Sequence, residues 1–345
     1  MAQVMAHPPG SARRDWDGAG WTRPVYAALD LGTNNCRLLM AVPAGQGFRV
    51  VDAFSRTTRL GEGLAGSGLL SEAAIVRTLA ALKMCVGRME RRGVTRFRSV
   101  ATEACRRAGN CRHFIDLVKA ETGLEMEIIS AEEEARLALA GCSPLLDRSF
   151  ADALVFDIGG GSTELMHVRV RKRRGAEDVL SMASLPLGVV TLAEGRGEAL
   201  HDPKGYADTV DDLCRMLADF DGDGRLSELV RLGQVQMLGT SGTVTTLAGV
   251  HLRLPRYDRM AVDGLVMNFA DIDRVSRLLA GSCAEERASY PCIGSERADL
   301  VVAGCAILDA ICRLWPVGSL RVADRGVREG VLMSMMRDDR VWMKA

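Results

Sequence analysis

The sequence predicts an α/β fold built from two similar halves, and three observations lead to this prediction. Apolar segments with strand character alternate with segments of helical periodicity from residue 25 to residue 336, which is typical of α/β proteins. One strand–turn–strand pattern occurs twice, once in each half. The chain has 345 residues, 48% of them hydrophobic, which is enough for two cores of ordinary size.

The first half contains five predicted strands and three predicted helices. Ser71 begins the first helical segment and is a suitable N-cap. A glycine-rich loop, residues 56–64, follows the third strand. In chain order we predict strands at 25–31, 36–42 and 48–54, a helix at 71–92, a strand at 96–102, a helix at 111–122, a strand at 126–130 and a helix at 131–142.

The second half repeats this alternation with more helices. In chain order we predict a strand–turn–strand unit at 151–170, helices at 205–218 and 226–232, a strand–turn–helix unit at 235–250, helices at 271–281, 284–289 and 296–315, and a strand, turn and closing helix at 319–336.

The predicted domain organisation follows from the two halves. Residues 1–23 are rich in Gly, Ala, Pro and Arg and are predicted to be a disordered tail. The first domain is predicted at 24–145 and the second at 146–325. The closing helix, residues 326–340, could pack back on the first domain.

Composition excludes several classes of protein. Lys plus Arg equals Asp plus Glu at 44 each, so no overall positive charge favours nucleic acid. No run of 18 apolar residues predicts a membrane span. Ten cysteines occur without any C-x-x-C pair, which favours free thiols in a reducing compartment and a cytoplasmic location.

The internal repeat is the strongest single signal. The segment Leu29–Met40 aligns with Phe156–His167, and each copy is an apolar strand, an aspartate, a glycine-bearing turn and a second strand. If the two halves face one another, both turns lie in a single cleft.

The two turns suit phosphate chemistry, although a pair of ordinary hairpin turns is the alternative. Glycines let backbone N–H groups approach an anion closely, and an aspartate at the end of the preceding strand can hold Mg²⁺. The candidate phosphate-binding residues are Gly32, Thr33, Asn34 and Asn35 in the first turn, and Gly159, Gly160, Gly161, Ser162 and Thr163 in the second.

The two hairpins resemble the phosphate-binding motifs of the acetate/sugar kinase, heat-shock chaperone and actin superfamily. Further segments resemble, in order, the exopolyphosphatase/guanosine pentaphosphate phosphohydrolase (Ppx/GppA) family. They are RTTRLGEGL (56–64), ATEACRRA (101–108), EIISAEEEARLAL (127–139), VFDIGGGSTEL (155–165), SLPLGVVTL (184–192), GTSGTVTTLAG (239–249) and VADRGVREG (322–330).

The resemblance runs from about Val25 to Met336 and is to the short, two-domain form of the family. It implies two actin-like (ribonuclease H-like) domains that face one another across a phosphate-binding cleft.

The resemblance also implies roles for individual residues. Glu134 is implied as the base that activates the attacking water, although three consecutive glutamates also suit a solvated helix start. Arg106 is implied as a phosphate-contacting arginine. Asp157 and Glu164 are the candidate Mg²⁺ ligands, with Asp30 opposite; Mn²⁺ could replace Mg²⁺, and a monovalent cation such as K⁺ could assist.

Further phosphate contacts are expected in two other segments. Arg56 and Arg59 could extend a basic track along a long substrate, or could lie on a solvated loop. Ser241, Gly242 and Thr243 form a third turn on the phosphate side.

The chain departs from the family pattern at two positions. Asn35 stands where the family more often has a hydroxyl residue, so we expect different local contacts. Glu103 stands where a small or neutral residue is more usual, and a carboxylate facing the cleft would repel a polyanion.

The predicted function is hydrolysis of the terminal phosphoryl group of inorganic polyphosphate, with release of orthophosphate. The same site could take the 5′-γ-phosphate of guanosine pentaphosphate. A kinase of the same superfamily and a non-catalytic phosphate or alarmone sensor are further alternatives. No nucleic-acid or membrane partner is expected, and a homodimer is an open option.

Overall fold

The computed structural model describes residues 24–172 and 177–341, so the predicted tail 1–23 lies outside the described residues. The strands are β1 (Val25–Leu31), β2 (Asn35–Ala44), β3 (Gly47–Thr57), β4 (Val94–Ala101), β5 (Glu127–Ile128), β6 (Asp152–Ile158), β7 (Thr163–Arg169), β8 (Asp178–Leu185), β9 (Val235–Thr240), β10 (Val266–Asn268) and β11 (Ser319–Ala323).

The α-helices alternate with these strands. They are α1 (Leu64–Ser67), α2 (Glu72–Arg91), α3 (Glu103–Arg107), α4 (Cys111–Thr122), α5 (Ala131–Cys142), α6 (Val189–Arg196), α7 (Pro203–Ala218), α8 (Arg225–Arg231), α9 (Gly242–His251), α10 (Arg259–Val262), α11 (Phe269–Ala280), α12 (Ala284–Ser289), α13 (Val301–Leu314) and α14 (Val327–Asp338).

The strands form two sheets of matching topology. The first has the order β3-β2-β1-β4-β5, and the second has the order β10-β11-β9-β6-β7-β8. In the first sheet, β3, β2 and β1 are antiparallel neighbours, and β4 and β5 continue the sheet parallel to β1. In the second sheet, β8, β7 and β6 are antiparallel neighbours, and β9 and β11 continue the sheet parallel to β6. The sequence repeat is therefore a structural repeat.

The closing helix α14 packs on the first sheet. Val327, Val331, Leu332 and Met336 share a buried cluster with residues of β1, β2 and α5. We propose that the two sheets belong to separate domains, 24–145 and 146–325. The contacts of α14 support the proposal that the closing helix packs on the first of them.

Most predicted elements are present, but several details differ. The structure adds five short elements that were not predicted, namely α1, α3, α6, α10 and β10. The edge strand β8 was not predicted, because its apolar and polar residues do not alternate regularly. Strand β5 has only two residues. Helix α13 begins at Val301 and not at residue 296. Arg56 belongs to β3 and not to the glycine-rich loop.

Candidate active site

The second glycine turn, between β6 and β7, is held by the segment that begins α6. Val189 N–H donates to the Gly159 carbonyl at 3.0 Å, and Val190 N–H donates to the Gly160 carbonyl at 2.8 Å. A methyl group added at Gly188 would lie 2.4 Å from the Gly160 carbonyl group, so only glycine fits there. The SLPLGVVTL segment therefore acts as the rigid support of this turn.

The first turn, between β1 and β2, rests on the loop that follows β3. The Asn34 carbonyl accepts from Thr58 N–H at 2.9 Å, and Gly61 N–H donates to the Thr33 carbonyl at 2.9 Å. The Asn35 amide oxygen accepts from the Thr57 hydroxyl at 3.3 Å, so this side chain is engaged with its cross-strand neighbour.

The two turns meet directly. A methyl group added at Gly160 would lie 3.1 Å from Asn34 N, and one added at Gly161 would lie 2.6 Å from Thr33 Oγ1. The structure therefore brings the two predicted phosphate turns into one cleft, in close contact.

Ser162 and Thr163 complete the second turn and are buried. Ser162 closes the turn through its carbonyl, which accepts from Gly159 N–H at 2.8 Å. The Thr163 hydroxyl donates to the Leu187 carbonyl at 2.6 Å. Thr163 therefore fixes the supporting segment rather than pointing its hydroxyl into the cleft.

The strand ends carry the predicted carboxylates. Asp157 lies opposite Glu164 across the β6–β7 hairpin. Burial raises the pKa of Asp157 to about 7, and the nearby charge of Glu134 adds to this effect. Burial and the charge of Asp157 likewise raise the pKa of Glu164, which accepts from the Ser184 hydroxyl at 2.8 Å. Two desolvated carboxylates that disfavour each other's charge form a site that a cation would stabilise.

Asp30 is the equivalent of Asp157 in the first sheet, but its surroundings are cationic. Burial raises the pKa of Asp30, whereas the charges of Arg37 and Arg328 lower it. Among the described residues, no three His, Cys, Asp or Glu side chains lie close enough together to hold a metal ion. The donor set therefore fits an ion held by one or two carboxylates, with Mg²⁺ completing its shell from water and phosphate oxygens.

The three consecutive glutamates of helix α5 point in different directions. Ser130 caps the helix by accepting from Glu133 N–H at 3.1 Å. Glu132 pairs with Arg136 on the outer surface, and Glu133 pairs with Arg98. Glu134 turns inward, and burial together with the charge of Glu164 raises its pKa.

Arg106, on α3, holds Glu134 from the side. Its Nη1 donates to Glu134 Oε2 at 2.7 Å and to the Ile129 carbonyl at 3.0 Å. Its Nε and Nη2 both donate to Glu103 Oε2, at 3.1 and 2.9 Å. Glu103 also faces the cleft, because its Cγ lies 3.1 Å from the position of a methyl group added at Gly161.

Three arginines near the turns were missing from the sequence-based set of candidates. Burial lowers the pKa of Arg297 and of Arg328, and the charge of Arg37 lowers both further. Within residues 24–172 and 177–341, Arg37 and Arg328 form no salt bridge. The signal for Arg37 was present in the repeat, where it aligns with Glu164. Arg328 lies in the family-like segment VADRGVREG (322–330) but received no role there, and Arg297 carried no signal.

The third turn lies beside Arg37. A methyl group added at Gly242 would be 3.7 Å from Arg37 Nη2. Ser241 has a φ of 126° and accepts from Thr243 N–H at 3.2 Å. The Thr243 side chain packs against Gly304 of α13, so it serves the core of the second sheet.

The structure does not bring Arg56 to this cleft. Arg56 pairs with Cys36 across β2 and β3, and Cys36 faces Cys85 of α2. Neighbouring residues of a strand point to opposite faces, so Arg56 lies on the face away from Arg37. Its Nη1 lies 2.9 Å from Met84 Sδ. Arg59 instead reaches across to Asp299 at 3.0 Å.

Comparisons with known proteins agree with this architecture. The model of the Ppx/GppA phosphatase family matches residues 39–339. A relative named Exopolyphosphatase 2, from Mycobacterium tuberculosis, is 28% identical over 326 residues, covering 90% of this chain and 98% of the relative.

Solved structures show the same fold. An Aquifex aeolicus Ppx/GppA family member is 29% identical with a TM-score of 0.73, covering 92% of this chain and 98% of that one. An exopolyphosphatase from Cytophaga hutchinsonii is 23% identical with a TM-score of 0.80, covering 91% and 98%. The predicted fold class is confirmed. The chain belongs to the Ppx/GppA phosphatase family.

Proposed function

We propose that this protein is an exopolyphosphatase, which hydrolyses the terminal phosphoryl group of inorganic polyphosphate and releases orthophosphate. The observation that carries the proposal is the inward carboxylate of Glu134. Its Oε2 accepts from Arg106 Nη1 at 2.7 Å, beside the two glycine turns, which contact each other. The name of the Mycobacterium tuberculosis relative supports polyphosphate as the substrate.

The residues divide the chemical work. Glu134 orients a water molecule toward the terminal phosphorus and accepts its proton on a carboxylate oxygen. Arg106 and the backbone N–H groups of the two turns bind the oxygens of the terminal phosphoryl group. This assignment is supported by the convergence of both turns with Arg106 and Glu134.

Asp157 and Glu164 would hold a divalent cation, with Asp30 opposite. Mg²⁺, or Mn²⁺ in its place, would neutralise charge that develops on the phosphoryl oxygens. The raised pKa values of Asp157 and Glu164 support this role, because their burial disfavours two uncompensated negative charges.

The arginines beyond the turns suit a chain of phosphates. Arg37, Arg297 and Arg328 present positive charge next to the terminal site, where the following phosphates of a polyanion would lie. Guanosine pentaphosphate offers the same terminal phosphoryl group and is the alternative substrate.

The test is orthophosphate release from long-chain polyphosphate with Mg²⁺. The native protein is expected to release phosphate, and Glu134→Ala is expected to lose about 10²- to 10⁴-fold in rate, as for other general bases. Glu132→Ala is the matched control, because that neighbouring glutamate pairs with Arg136 on the surface.

The outcomes separate the alternatives. A native protein inactive on polyphosphate but active on guanosine pentaphosphate identifies the alternative substrate. Consumption of ATP only with an added acceptor indicates a kinase. Binding without turnover indicates a sensor. Equal rates for the native protein and Glu134→Ala contradict the role given to Glu134.

Location, ions and assembly complete the proposal. No helix within the described ranges is long and apolar enough to cross a membrane. We propose a cytoplasmic location, which the ten free cysteines support. Assistance by K⁺ and assembly as a homodimer remain proposals, to be tested by activity in K⁺-free buffer and by sedimentation.

A further inference from the structure

Glu103 occupies an unexpected place for a carboxylate in a phosphate site. It is the first residue of α3 and its side chain is only 13% exposed. Its Cγ approaches the second glycine turn at Gly161. An acidic side chain is thus part-buried next to the backbone N–H groups that the proposed function assigns to phosphate binding.

The contacts of Glu103 show what it does there. One oxygen, Oε2, accepts from both Nε and Nη2 of Arg106. Nη1 of the same guanidinium is shared between Glu134 and the Ile129 carbonyl. An arginine has five N–H donors, and this arrangement commits four of them to the protein. Nε and Nη2 of Arg106, which could bind a phosphate bidentately, therefore already donate to the Glu103 carboxylate.

We propose that Glu103 is an affinity-determining residue that competes with phosphate for Arg106. Without phosphate, Glu103 keeps the part-buried guanidinium of Arg106 paired and oriented. An entering phosphoryl group gains Nε and Nη2 only when Glu103 yields them. This weakens binding at the terminal position and speeds the departure of orthophosphate.

A second carboxylate–arginine pair in the first half provides a control for the effect of Glu103 on phosphate binding. Glu127 makes the same kind of contact with Arg98, whose Nε and Nη2 donate to its two carboxylate oxygens at 2.8 Å each. That pair lies on the outer surface, with Glu127 54% exposed. Glu127→Gln therefore controls for the loss of one carboxylate–arginine pair without touching the cleft.

The experiment measures the affinity of the folded proteins for inorganic orthophosphate by calorimetry in Mg²⁺ buffer. Glu103→Gln keeps the size of the side chain but removes its charge, and is expected to bind orthophosphate about tenfold more tightly than the native protein. Glu127→Gln is expected to bind like the native protein. Glu103→Asp, whose shorter carboxylate holds Arg106 less well, is expected to fall between, and it serves if Glu103→Gln does not fold.

A double-mutant cycle ties the effect to Arg106. In an Arg106→Gln background, the further change Glu103→Gln is expected to give a much smaller gain, because the contested donors are gone. Unchanged or weaker orthophosphate binding by folded Glu103→Gln overturns the proposal, as does an equal gain in the Arg106→Gln background. If Glu103 had only a structural role, Glu103→Gln would lower the thermal stability of the protein without tightening its binding of orthophosphate.

The inference rests on the proposed phosphate site, but the two fail differently. If the native protein releases no phosphate from polyphosphate while Glu103→Gln still tightens orthophosphate binding, the substrate proposal fails and the role of Glu103 stands. If turnover occurs as proposed and the affinities do not change, only the role of Glu103 fails.

Discussion

The two glycine turns occupy equivalent places in the two sheets and differ most in charge. Asp30 pairs across its hairpin with Arg37, whereas Asp157 pairs across its hairpin with Glu164. The same backbone geometry thus carries one positive and one negative charge in the first turn, and two negative charges in the second. We infer that the charged side chains beside the first turn favour phosphate and those beside the second favour a cation, while the backbone N–H groups of both turns face the phosphoryl group.

The support of the two turns differs as well. In the second turn, added methyl groups at Gly159 and Gly161 would come within 3.0 Å of neighbouring atoms. In the first turn, a methyl group at Gly32 would come no closer than 3.6 Å to its neighbours, an ordinary contact. The cation-suited turn is therefore tightly packed, and the turn beside Arg37 is less constrained.

The largest expected effect comes from changing the charge of the second turn. Glu164→Gln is expected to raise the half-saturating Mg²⁺ concentration for phosphate release by about 10- to 100-fold, as for other changes near bound metals. Asp30→Asn is expected to shift it less, because Arg37 and Arg328 already compensate that carboxylate. Metal titrations of the rate measure both.

The control for this test is Glu198→Gln, an exposed glutamate of the second half. An Asp30→Asn shift equal to that of Glu164→Gln would mean that the two turns share the cation evenly, contrary to the comparison.

The next largest effect concerns Arg37. Arg37→Gln is expected to raise KM for polyphosphate about tenfold, with a smaller effect on kcat, because a cation beside the first turn is lost. Steady-state kinetics at two salt concentrations measure this, and the salt dependence of KM should weaken. Arg56 lies on the opposite face of the same strand pair, so Arg56→Gln is expected to leave KM unchanged. If Arg56→Gln raises KM more than Arg37→Gln does, Arg56 contacts the polyphosphate after all.

Packing around the turns gives a third contrast. Gly188→Ala forces its methyl group onto the Gly160 carbonyl at 2.4 Å, and is expected to lower Tm by about 5 °C and to reduce activity. Gly32→Ala is expected to leave Tm within about 1 °C of the native value. Thermal denaturation followed by circular dichroism distinguishes them. A stable Gly188→Ala protein would show that the segment 188–190 is free to move away from the turn.

Sequence patterns predicted what depends on local order in the chain. The paired Asp–glycine turns, the Ser71 cap and the helix after Ser130 were all readable, because each depends on neighbouring residues. Edge strand β8 was not, since it owes its structure to pairing with β7 and not to an apolar pattern.

Within the site, the sequence indicated which residues take part but not where their side chains point. Which of three adjacent glutamates turns inward follows from the packing of α5, and the family resemblance rather than periodicity selected Glu134. Arg56 was misplaced because its face of the sheet depends on the register of β3 with β2. Arg297 comes near Arg37 only when the two halves come together, and Arg328 only when α14 packs on the first sheet, so no local pattern could have joined them.

The smallest expected effect is a pH dependence confined to the second turn. Burial raises the pKa of Asp157 to about 7 in the folded protein, against about 3.9 for an unfolded chain. Between these values the folded, metal-free protein binds more protons at Asp157 than the unfolded chain does, so its contribution to the free energy of unfolding falls as pH rises. In EDTA, Tm should therefore decline more steeply from pH 5 to pH 7 in the native protein than in Asp157→Asn, by a difference of a few degrees. Mg²⁺ at pH 7 should recover Tm in the native protein and less so in the variant. Parallel Tm profiles for the two proteins would mean that Asp157 is solvated and charged across this range, and the contrast with the Asp30–Arg37 pair would then rest on Glu164 alone.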